Sequence, residues 1–386
     1  MVFRLLCFTS LIILSYAIGA GAAPLRYDAT RIETQINGLP VWLEAFIAKP
    51  AISGRLPVVL ITHGSNNTPE KLDASDELGN WALDFAARGY LAVAVLRQGY
   101  GKSDGTVNQS GGTCEAPTPA LVLQRDADDL EGALKAIALR PDADMSRVVA
   151  VGQSRGGSAV TALSARSSVH LSAVISVSGG VYHLDKGAQP RPFHAYDNCA
   201  RYRDALIETV SGYARTAHMP QLWAYEENDP WFSPDLVQAF RQGWEKSGGD
   251  VHVAILPPSD INGHQLFFSV QGRASLHPLV DDFLRRNNLP TWSKADTATL
   301  RATLRPDQQK DLDAYLEGGT AERALAISKD GTGRLHYNEG RAISDRAGRD
   351  ALKTCEDQEH KSCKLLMANF DLLPQTVSHD KSEGPE

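Results

Sequence analysis

Short apolar runs alternate with amphipathic segments along most of the chain. Strands are predicted at VVLITHG, YLAVAVL, SRVVAVG, LSAVISVSG, PQLWAYEEND and VHVAILPP, and helices at WALDFAARG, RDADDLEGALKAIALRP, GSAVTALSAR, PDLVQAFRQGWEKSGG and HPLVDDFLRRNNLP. Strands that are apolar on both faces and joined by helices are typical of a parallel sheet covered on both sides. The pattern therefore predicts an α/β fold, with RIETQIN and PVWLEAFIAKP as an antiparallel hairpin at one edge.

Two predicted connections, over residues 97–119 and 180–219, are longer than is usual in a compact α/β domain. The first is rich in Gly, Ser and Thr, and the second is rich in aromatic residues and His. Both follow the carboxyl end of a strand, where ligand sites of such sheets lie. We therefore expect both connections to border a functional site.

The pattern changes near residue 292. Beyond it, helices are predicted at RPDQQKDLDAYLEGG and SDRAGRDALKTCEDQ, and short strands at ERALAISKDG, GRLHYNEG and CKLLMANF. We therefore expect an α/β domain over residues 23–291 and a small α+β domain over residues 292–374. Residues 375–386 have little apolar content and predict a disordered tail.

The first 22 residues are typical of a cleaved signal peptide, with an early cation, Arg4, an apolar run of roughly 14 residues and small residues at the end. We therefore expect a secreted or periplasmic protein that has no integral membrane segment after cleavage. Cleavage would leave four cysteines, and in an oxidising compartment an even set favours two disulfides. Three pairings are possible, and separation along the chain favours Cys114 with Cys199 and Cys355 with Cys363.

Charge and composition argue against a nucleic-acid-binding protein and a zinc-binding protein. The 386 residues carry a formal net charge of -7, with 42% hydrophobic and 22% charged residues, so the basic excess of a nucleic-acid-binding protein is missing. No Cys-x-x-Cys or His-x-x-x-His spacing occurs, which gives a structural zinc site no support. We expect no cofactor, no metal and no nucleic-acid partner, and no pattern indicates an oligomeric state.

Ser154 lies in the pentapeptide GQSRG, which fits the pattern G-x-S-x-G. A predicted strand precedes it and a predicted helix follows it, the context in which this turn exposes a nucleophilic Ser. The strained turn requires small residues two positions before and after the Ser, and Gly152 and Gly156 meet that requirement. Ser154 is therefore the candidate nucleophile, and the alternatives are an inert glycine-rich bend and a Ser that caps the following helix.

A Ser nucleophile needs a base and a carboxylate that orients the base. In this architecture the chain order is Ser, then Asp or Glu, then His, each at the end of a later strand. Asp229 follows a predicted strand in LWAYEENDPWF and is the candidate acid. Glu226 and Glu227 lie nearer the strand and are the alternatives.

The candidate base is His264, because it lies in the loop PPSDINGHQLF after the last predicted strand. His252 falls within a strand and His277 within a helix, so structural roles are expected for both. Asp260 lies only four positions from His264 in the same loop and is a less natural partner for it than Asp229.

An acyl-transfer site also needs donors for the negative charge that develops on the substrate oxygen. The backbone N–H of Arg155 is one candidate, and its side chain is expected to be free to meet substrate. The N–H of Ser65, in the turn THGSN, is the second, with Asn66 as the fallback. Gly64 permits close approach, and His63 is expected to hold the turn. Asn66 also begins a glycosylation pattern, which we interpret as chance because a glycan would obstruct the pocket.

The ordered set THGS, RQGYGKS, GQSRGG, ENDPWF and DINGHQLF resembles the α/β-hydrolases, in particular the dienelactone-hydrolase-like secreted serine hydrolases, over residues 32–290. The resemblance implies an α/β-hydrolase fold, a triad of Ser154, Asp229 and His264, and oxyanion donors at Ser65 and Arg155. Dienelactone hydrolases proper carry a Cys in place of Ser154, so the resemblance implies the fold and mechanism but not that substrate.

Three residues are candidate substrate contacts: Arg97, Tyr100 and Trp231. Arg97 either binds a substrate carboxylate or pairs with Asp126 or Asp128, and the pair is favoured. Further aromatic and His side chains near the strand ends line the pocket or pack locally, namely Tyr182, His183, Phe193, His194, Tyr196 and Phe267.

These features predict an exported serine hydrolase that cleaves a carboxylic ester through an acyl-enzyme. Its expected partner is a small-molecule ester or a peptide. The alternatives are a peptidase of the same fold and a secreted binding protein without turnover.

Overall fold

A computed structural model describes residues 25–107, 111–182, 199–260, 262–291, 297–317, 323–339, 346–368 and 371–372. The predicted signal peptide and the predicted tail lie outside these residues. Four of the candidate pocket residues also lie outside them: His183, Phe193, His194 and Tyr196.

The larger sheet has eight strands in the order β1-β2-β4-β3-β5-β6-β7-β8. Strands β3 to β8 run parallel to one another, whereas β1 pairs antiparallel with β2 and β2 pairs antiparallel with β4. The bounds are β1 Leu25–Ile36, β2 Leu39–Pro50, β3 Leu56–Thr62, β4 Leu91–Val95, β5 Ala143–Gln153, β6 Ala173–Val177, β7 Gln221–Glu226 and β8 His252–Leu256. The predicted parallel sheet and the edge hairpin are confirmed.

Helices cover both faces of this sheet. They are α1 Ala74–Ala87, α2 Pro119–Ile137, α3 Arg155–Ser164, α4 Ala200–Tyr213, α5 Pro234–Lys246 and α6 Val270–Arg286. Alternate residues of a strand point to opposite faces. Val58 and Leu60 of β3 therefore pack in the core beneath α2, α3, α4 and α5, whereas Val59 and Ile61 pack in the core beneath α1 and α6.

Helix α4 corrects the prediction that residues 180–219 form one long irregular connection. It begins after Cys199, whose sulfur accepts the N–H of Tyr202, and it buries Tyr202, Leu206 and Val210. These three residues are four positions apart, which places them along one helical face. The aromatic and His content of the segment obscured this spacing.

A second sheet lies in the C-terminal part of the chain, with the antiparallel order β10-β9-β11-β12. Its strands are β9 Arg323–Ser328, β10 His336–Glu339, β11 Cys363–Ala368 and β12 Asp371–Leu372, and the helices of this region are α7 Thr297–Thr303, α8 Pro306–Glu317 and α9 Arg346–Glu359. Leu325 and Ile327 pack with residues of α8, whereas Ala324 and Ala326 pack with residues of α9. This sheet therefore has two small cores of its own.

Two disulfides are present. Cys114 is joined to Cys199, and Cys355 is joined to Cys363. The first connects the segment before α2 to the start of α4, and the second connects α9 to β11. Within the described ranges, every helix is too short or too polar to cross a membrane.

Candidate active site

Ser154 occupies the sharp turn between β5 and α3. Its backbone angles are φ 53° and ψ -123°, a strained conformation for a residue that is not Gly. The turn is possible because its neighbours lack side chains. A β-carbon on Gly152 would lie 2.2 Å from the carbonyl oxygen of Gly156, and one on Gly156 would lie 2.3 Å from that of His63.

His264 approaches Ser154 from the loop after β8. It lies in a short 3₁₀ turn, Gly263–Gln265, in which Asn262 Oδ1 accepts the His264 N–H. The distance from His264 Nε2 to Ser154 Oγ is 3.0 Å. The imidazole is therefore within hydrogen-bonding reach of the hydroxyl, as a general base requires.

Asp229 lies on the other side of the imidazole, in the turn after β7. The distance from His264 Nδ1 is 3.0 Å to Asp229 Oδ2 and 3.2 Å to Oδ1. Asp229 is 4% exposed, and its Oδ1 also accepts the backbone N–H groups of Trp231 and Phe232. The two backbone N–H groups hold the Asp229 carboxylate in position to accept a hydrogen bond from His264 Nδ1.

The alternative acid Glu226 is buried, but its carboxylate accepts the backbone N–H of Ser259. Asp229, in contrast, contacts His264 directly. The structure therefore brings Ser154, His264 and Asp229 together in hydrogen-bond contact.

Two backbone segments border Ser154 and carry the candidate oxyanion donors. Arg155 is the first residue of α3, and an N–H at that position has no partner within its own helix. The turn after β3 passes so close that a β-carbon on Gly64 would lie 3.0 Å from Ser154 Cβ. Ser65 follows Gly64 directly and lines the same cavity as His264.

His63 is fully buried beneath this turn. Burial and the nearby Arg97 cation hold the pKa of His63 well below its ordinary value. The neutral ring with its proton on Nδ1 satisfies both of its contacts, because Nδ1 lies 2.7 Å from the Gly64 carbonyl oxygen and Nε2 accepts the Arg97 N–H. His63 therefore holds the turn.

The prediction that Arg97 contacts substrate is wrong, because the side chain is buried and bonded within the protein. The residue is 1% exposed, and its guanidinium donates to Thr62 Oγ1 and to the carbonyl oxygens of His63 and Gly64. Its Nε lies 3.5 Å from Asp126 Oδ1. Of the two carboxylates considered as its partner, Asp126 faces Arg97, whereas Asp128 pairs with Arg166.

The side chain of Arg155 is also turned inward, which contradicts the expectation that it is free to meet substrate. Its Nε and Nη2 donate to the two carboxylate oxygens of Asp126, at 2.5 Å and 2.7 Å. Arg155 is 2% exposed. Its partner lies 29 residues earlier in the chain, on a different helix, so the local sequence gave no indication of this contact.

Residues 38–250, more than half of the chain, match the family described as X-Pro dipeptidyl-peptidase (S15 family). The chain belongs to the S15 peptidase family. The match includes the positions of Ser154 and Asp229 and ends before His264. No curated protein matches this S15 sequence at a significant level.

This S15 chain is similar to solved structures of hydrolases. The acylaminoacyl peptidase of Pyrococcus horikoshii has a TM-score of 0.50 and 21% identity, over 71% of this chain and 44% of its own. This S15 chain therefore spans less than half of that enzyme. The Pyrococcus furiosus esterase has a TM-score of 0.48 and 17% identity, over 67% of this chain and 91% of its own. A putative dienelactone hydrolase from Klebsiella pneumoniae has a TM-score of 0.40 and 17% identity, over 61% and 87%.

A cavity of about 520 Å³ opens at the His264 ring of this S15 protein. Besides the predicted Ser65 and Phe267, its lining includes residues that the sequence analysis did not single out: Asp76, Glu77, Asn80, Trp81, Gln153 and Arg273. Four of these residues come from α1, which packs on the opposite face of the sheet from α3. The polar residues among them, Asp76, Glu77 and Asn80, belong to no sequence motif, and only the tertiary structure brings them to the site.

Of the other predicted contacts in this S15 protein, Trp231 is half-buried near His264, with 6.3 Å between the ring centroids. It stacks on Tyr182, with 4.8 Å between the ring centroids. Tyr100 is only 1% exposed and packs edge-on against His63, so it does not reach a substrate and that prediction is corrected. Within the ranges that the structure describes, no three His, Cys, Asp or Glu side chains are grouped as a metal site.

Proposed function

We propose that this protein is an exported serine hydrolase that cleaves carboxylic esters through an acyl-enzyme. The observation that carries the proposal is the unbroken contact from Ser154 Oγ to His264 Nε2 and from His264 Nδ1 to Asp229, at 3.0 Å each. A hydroxyl on a strained turn, a base and a buried carboxylate are the parts that nucleophilic acyl transfer requires. In this chain Ser154, Asp229 and His264 follow β5, β7 and β8, the order of strand ends expected for such a triad, which supports the proposal.

The proposed reaction begins when Ser154 Oγ attacks the ester carbonyl and His264 Nε2 takes the hydroxyl proton. Asp229 accepts a hydrogen bond from the Nδ1–H of His264, stays ionised, and stabilises the imidazolium that forms. The N–H groups of Ser65 and Arg155 bind the oxyanion. As the tetrahedral intermediate collapses, His264 gives its proton to the departing alcohol, and the acyl group stays on Ser154.

Hydrolysis of the acyl-enzyme repeats these steps with water. His264 removes a proton from the water molecule, whose oxygen attacks the acyl carbonyl, and the proton returns to Ser154 Oγ as the acid leaves. We favour an ester because its alkoxide leaving group is expelled with less assistance than the amine of a peptide.

Cleavage of peptides is the second candidate, favoured by the match to a family described as X-Pro dipeptidyl-peptidase. A peptidase of that kind must recognise the amino end of its substrate. Glu77 and Asp76 line the cavity beside His264 and would attract an ammonium group. The cavity is therefore compatible with an aminoacyl substrate as well as an ester.

Export rests on the two disulfides, because such bonds persist in oxidising compartments and are rare in the cytosol. We further propose that residues 23–291 form the catalytic domain and residues 292–374 a separate small domain. The two cores around β9, one on each face of its sheet, support that division.

The experiment that tests the reaction compares kcat/KM for nitrophenyl esters of increasing acyl length with kcat/KM for aminoacyl-proline anilides. A Ser154→Ala variant serves as the control for catalysis outside the site. We expect the wild-type protein to prefer an ester and the variant to lose that activity. Cleavage of anilides alone would overturn the ester proposal in favour of the peptidase, and no cleavage of either series would overturn both.

A further inference from the structure

The carbonyl oxygen of Gly64 is held by two buried donors. It lies 3.1 Å from Nη2 of Arg97 and 2.7 Å from Nδ1 of His63. A peptide unit is planar and almost always trans, so its C=O and its N–H point in opposite directions. The N–H in this unit belongs to Ser65, one of the two proposed oxyanion donors. The groups that hold the Gly64 carbonyl therefore set the direction of the Ser65 N–H.

Arg97 fixes more of the same turn than this one carbonyl. Its Nη1 donates to the His63 carbonyl oxygen at 2.6 Å and to Thr62 Oγ1 at 2.9 Å. Three acceptors in consecutive residues are thus bound by one planar guanidinium. A Lys ammonium is a compact charge on a flexible stem and does not reproduce this fork of donors.

Asp126, on helix α2, connects Arg97 to the second oxyanion segment. Its carboxylate accepts two hydrogen bonds from the Arg155 guanidinium, and its Oδ1 lies 3.5 Å from Arg97 Nε. All three side chains are at least 95% buried. The carboxylate thus bridges the residue whose N–H is one proposed donor and the residue that orients the other.

We propose that Arg97 and Asp126 are positioning residues that fix the two oxyanion donors relative to each other. The proposal rests on the proposed serine hydrolase function. Buried ion pairs are poor sources of stability, because removing the charges from water costs about as much as their attraction returns. Stability therefore does not account for these buried charges. Their position explains them better, because they join the two segments whose N–H groups must both point at the oxyanion in the transition state.

The test is the variant Arg97→Lys, compared with Arg88→Lys as a matched control. Arg88 is also a buried Arg, bound to Asp281 and to the Asp84 carbonyl oxygen on the face of the sheet opposite α2 and α3. Steady-state kcat and KM are measured on the best nitrophenyl ester, together with inhibition by an alkyl boronic acid. Such an acid adds to Ser154 Oγ as the hydroxyl proton passes to His264, and the anionic tetrahedral boronate places one of its oxygens where the oxyanion forms.

We expect Arg97→Lys to lower kcat by about tenfold or more, since full loss of one oxyanion donor costs about 10²- to 10³-fold. The KM should change by less than about threefold, because ground-state binding does not use these donors. The inhibition constant of the boronic acid should rise in proportion to the loss of kcat. Arg88→Lys should lower thermal stability and leave kcat and boronate inhibition as in the wild-type protein.

The inference is overturned if the wild-type protein turns over the ester and Arg97→Lys keeps its kcat and its boronate affinity. If Arg97→Lys does not fold, Asp126→Asn decides in the same assay, with the same losses expected and retained kcat overturning the inference. Failure of the serine hydrolase proposal has a different signature, because the wild-type protein itself would then show no turnover and no inhibition by the boronic acid.

Discussion

Gly152 and Gly156 are in contact, backbone to backbone, across the turn that carries Ser154. A β-carbon on Gly152 would lie 2.2 Å from the carbonyl oxygen and 2.3 Å from the carbonyl carbon of Gly156. Because backbone atoms cannot swing aside as a flexible side chain can, the Gly152→Ala variant must displace the turn. We predict a loss of about 1 to 3 kcal/mol in the free energy of unfolding. The displaced Ser154 should also lower kcat/KM by about 10²-fold.

Gly212→Ala is the control for this substitution. Gly212 lies in helix α4, and a β-carbon there would have no atom within 4 Å. Since Ala is a better helix former than Gly, this variant should gain about 0.5 to 1 kcal/mol and keep its activity. Urea unfolding and ester kinetics measure both variants. A Gly152→Ala protein as stable and active as Gly212→Ala would contradict the close contact.

The pairing of Asp229 with His264 predicts the effect of Asp229→Asn. An amide at this position favours the wrong tautomer of His264, and in a Ser-His-Asp triad this change lowers kcat by about 10⁴-fold. The measurement is ester turnover at neutral pH, with Glu226→Gln as the control, since Glu226 accepts the Ser259 N–H instead. Glu226→Gln should remain active. If Glu226→Gln lost activity and Asp229→Asn kept it, Glu226 would be the acid of the triad.

Asp129 predicts a pH dependence of stability. Burial raises the pKa of Asp129 to about 6, despite the hydrogen bonds that its carboxylate accepts from Gln98. The folded protein therefore binds this proton more tightly than the unfolded chain. The contribution of Asp129 is fully present below about pH 4 and is lost as the pH rises through about 6.

The Asp129→Asn variant removes this ionisation. Its free energy of unfolding, relative to that of the wild-type protein, should rise between pH 4 and pH 8 by up to about 3 kcal/mol. Urea unfolding at the two pH values measures the difference. A difference that does not change with pH would mean that the carboxyl group of Asp129 titrates normally.

The two disulfides should contribute unequally to stability. Cys114 and Cys199 are 85 residues apart, whereas Cys355 and Cys363 are 8 apart. In the chain-entropy account, closing the longer loop restricts the unfolded state more, which corresponds to about 4 to 5 kcal/mol against about 2.5 kcal/mol. Each pair is replaced by Ala in turn, and peptide mapping without reduction verifies the remaining bond. Equal losses, or a larger loss for the shorter loop, would contradict this ranking.

The sequence allowed the position of each triad candidate to be predicted because the relevant signals are local. Ser154 lies in a pentapeptide with its own steric requirement, and Asp229 and His264 follow apolar strands in a fixed order. The parallel sheet followed from the same alternation of strands and helices. Helix α4 was missed although three apolar residues at a spacing of four were present, since the surrounding composition resembled that of a loop.

The surroundings of the site depend on long-range contacts that local patterns do not contain. Asp126 and Asp128 are two positions apart on α2 and so point in different directions, but the sequence does not say which one faces Arg97. The inward turn of the Arg155 side chain depends on Asp126 in the same way. Residues of α1 line the cavity because that helix packs against the segment after β8, where Trp81 donates to the Phe267 carbonyl oxygen. No spacing along the chain indicates this contact.

The proposed mechanism requires Ser154 to be the nucleophile, and covalent labelling shows whether its hydroxyl reacts. The protein is treated with a fluorophosphonate, and intact mass and peptide mapping locate the adduct. We expect one label per chain, on Ser154, and none on the Ser154→Ala variant, whose folding is checked by circular dichroism. A folded wild-type protein that stays unlabelled, or a Ser154→Ala variant that is labelled as fast as the wild type, would contradict the claim.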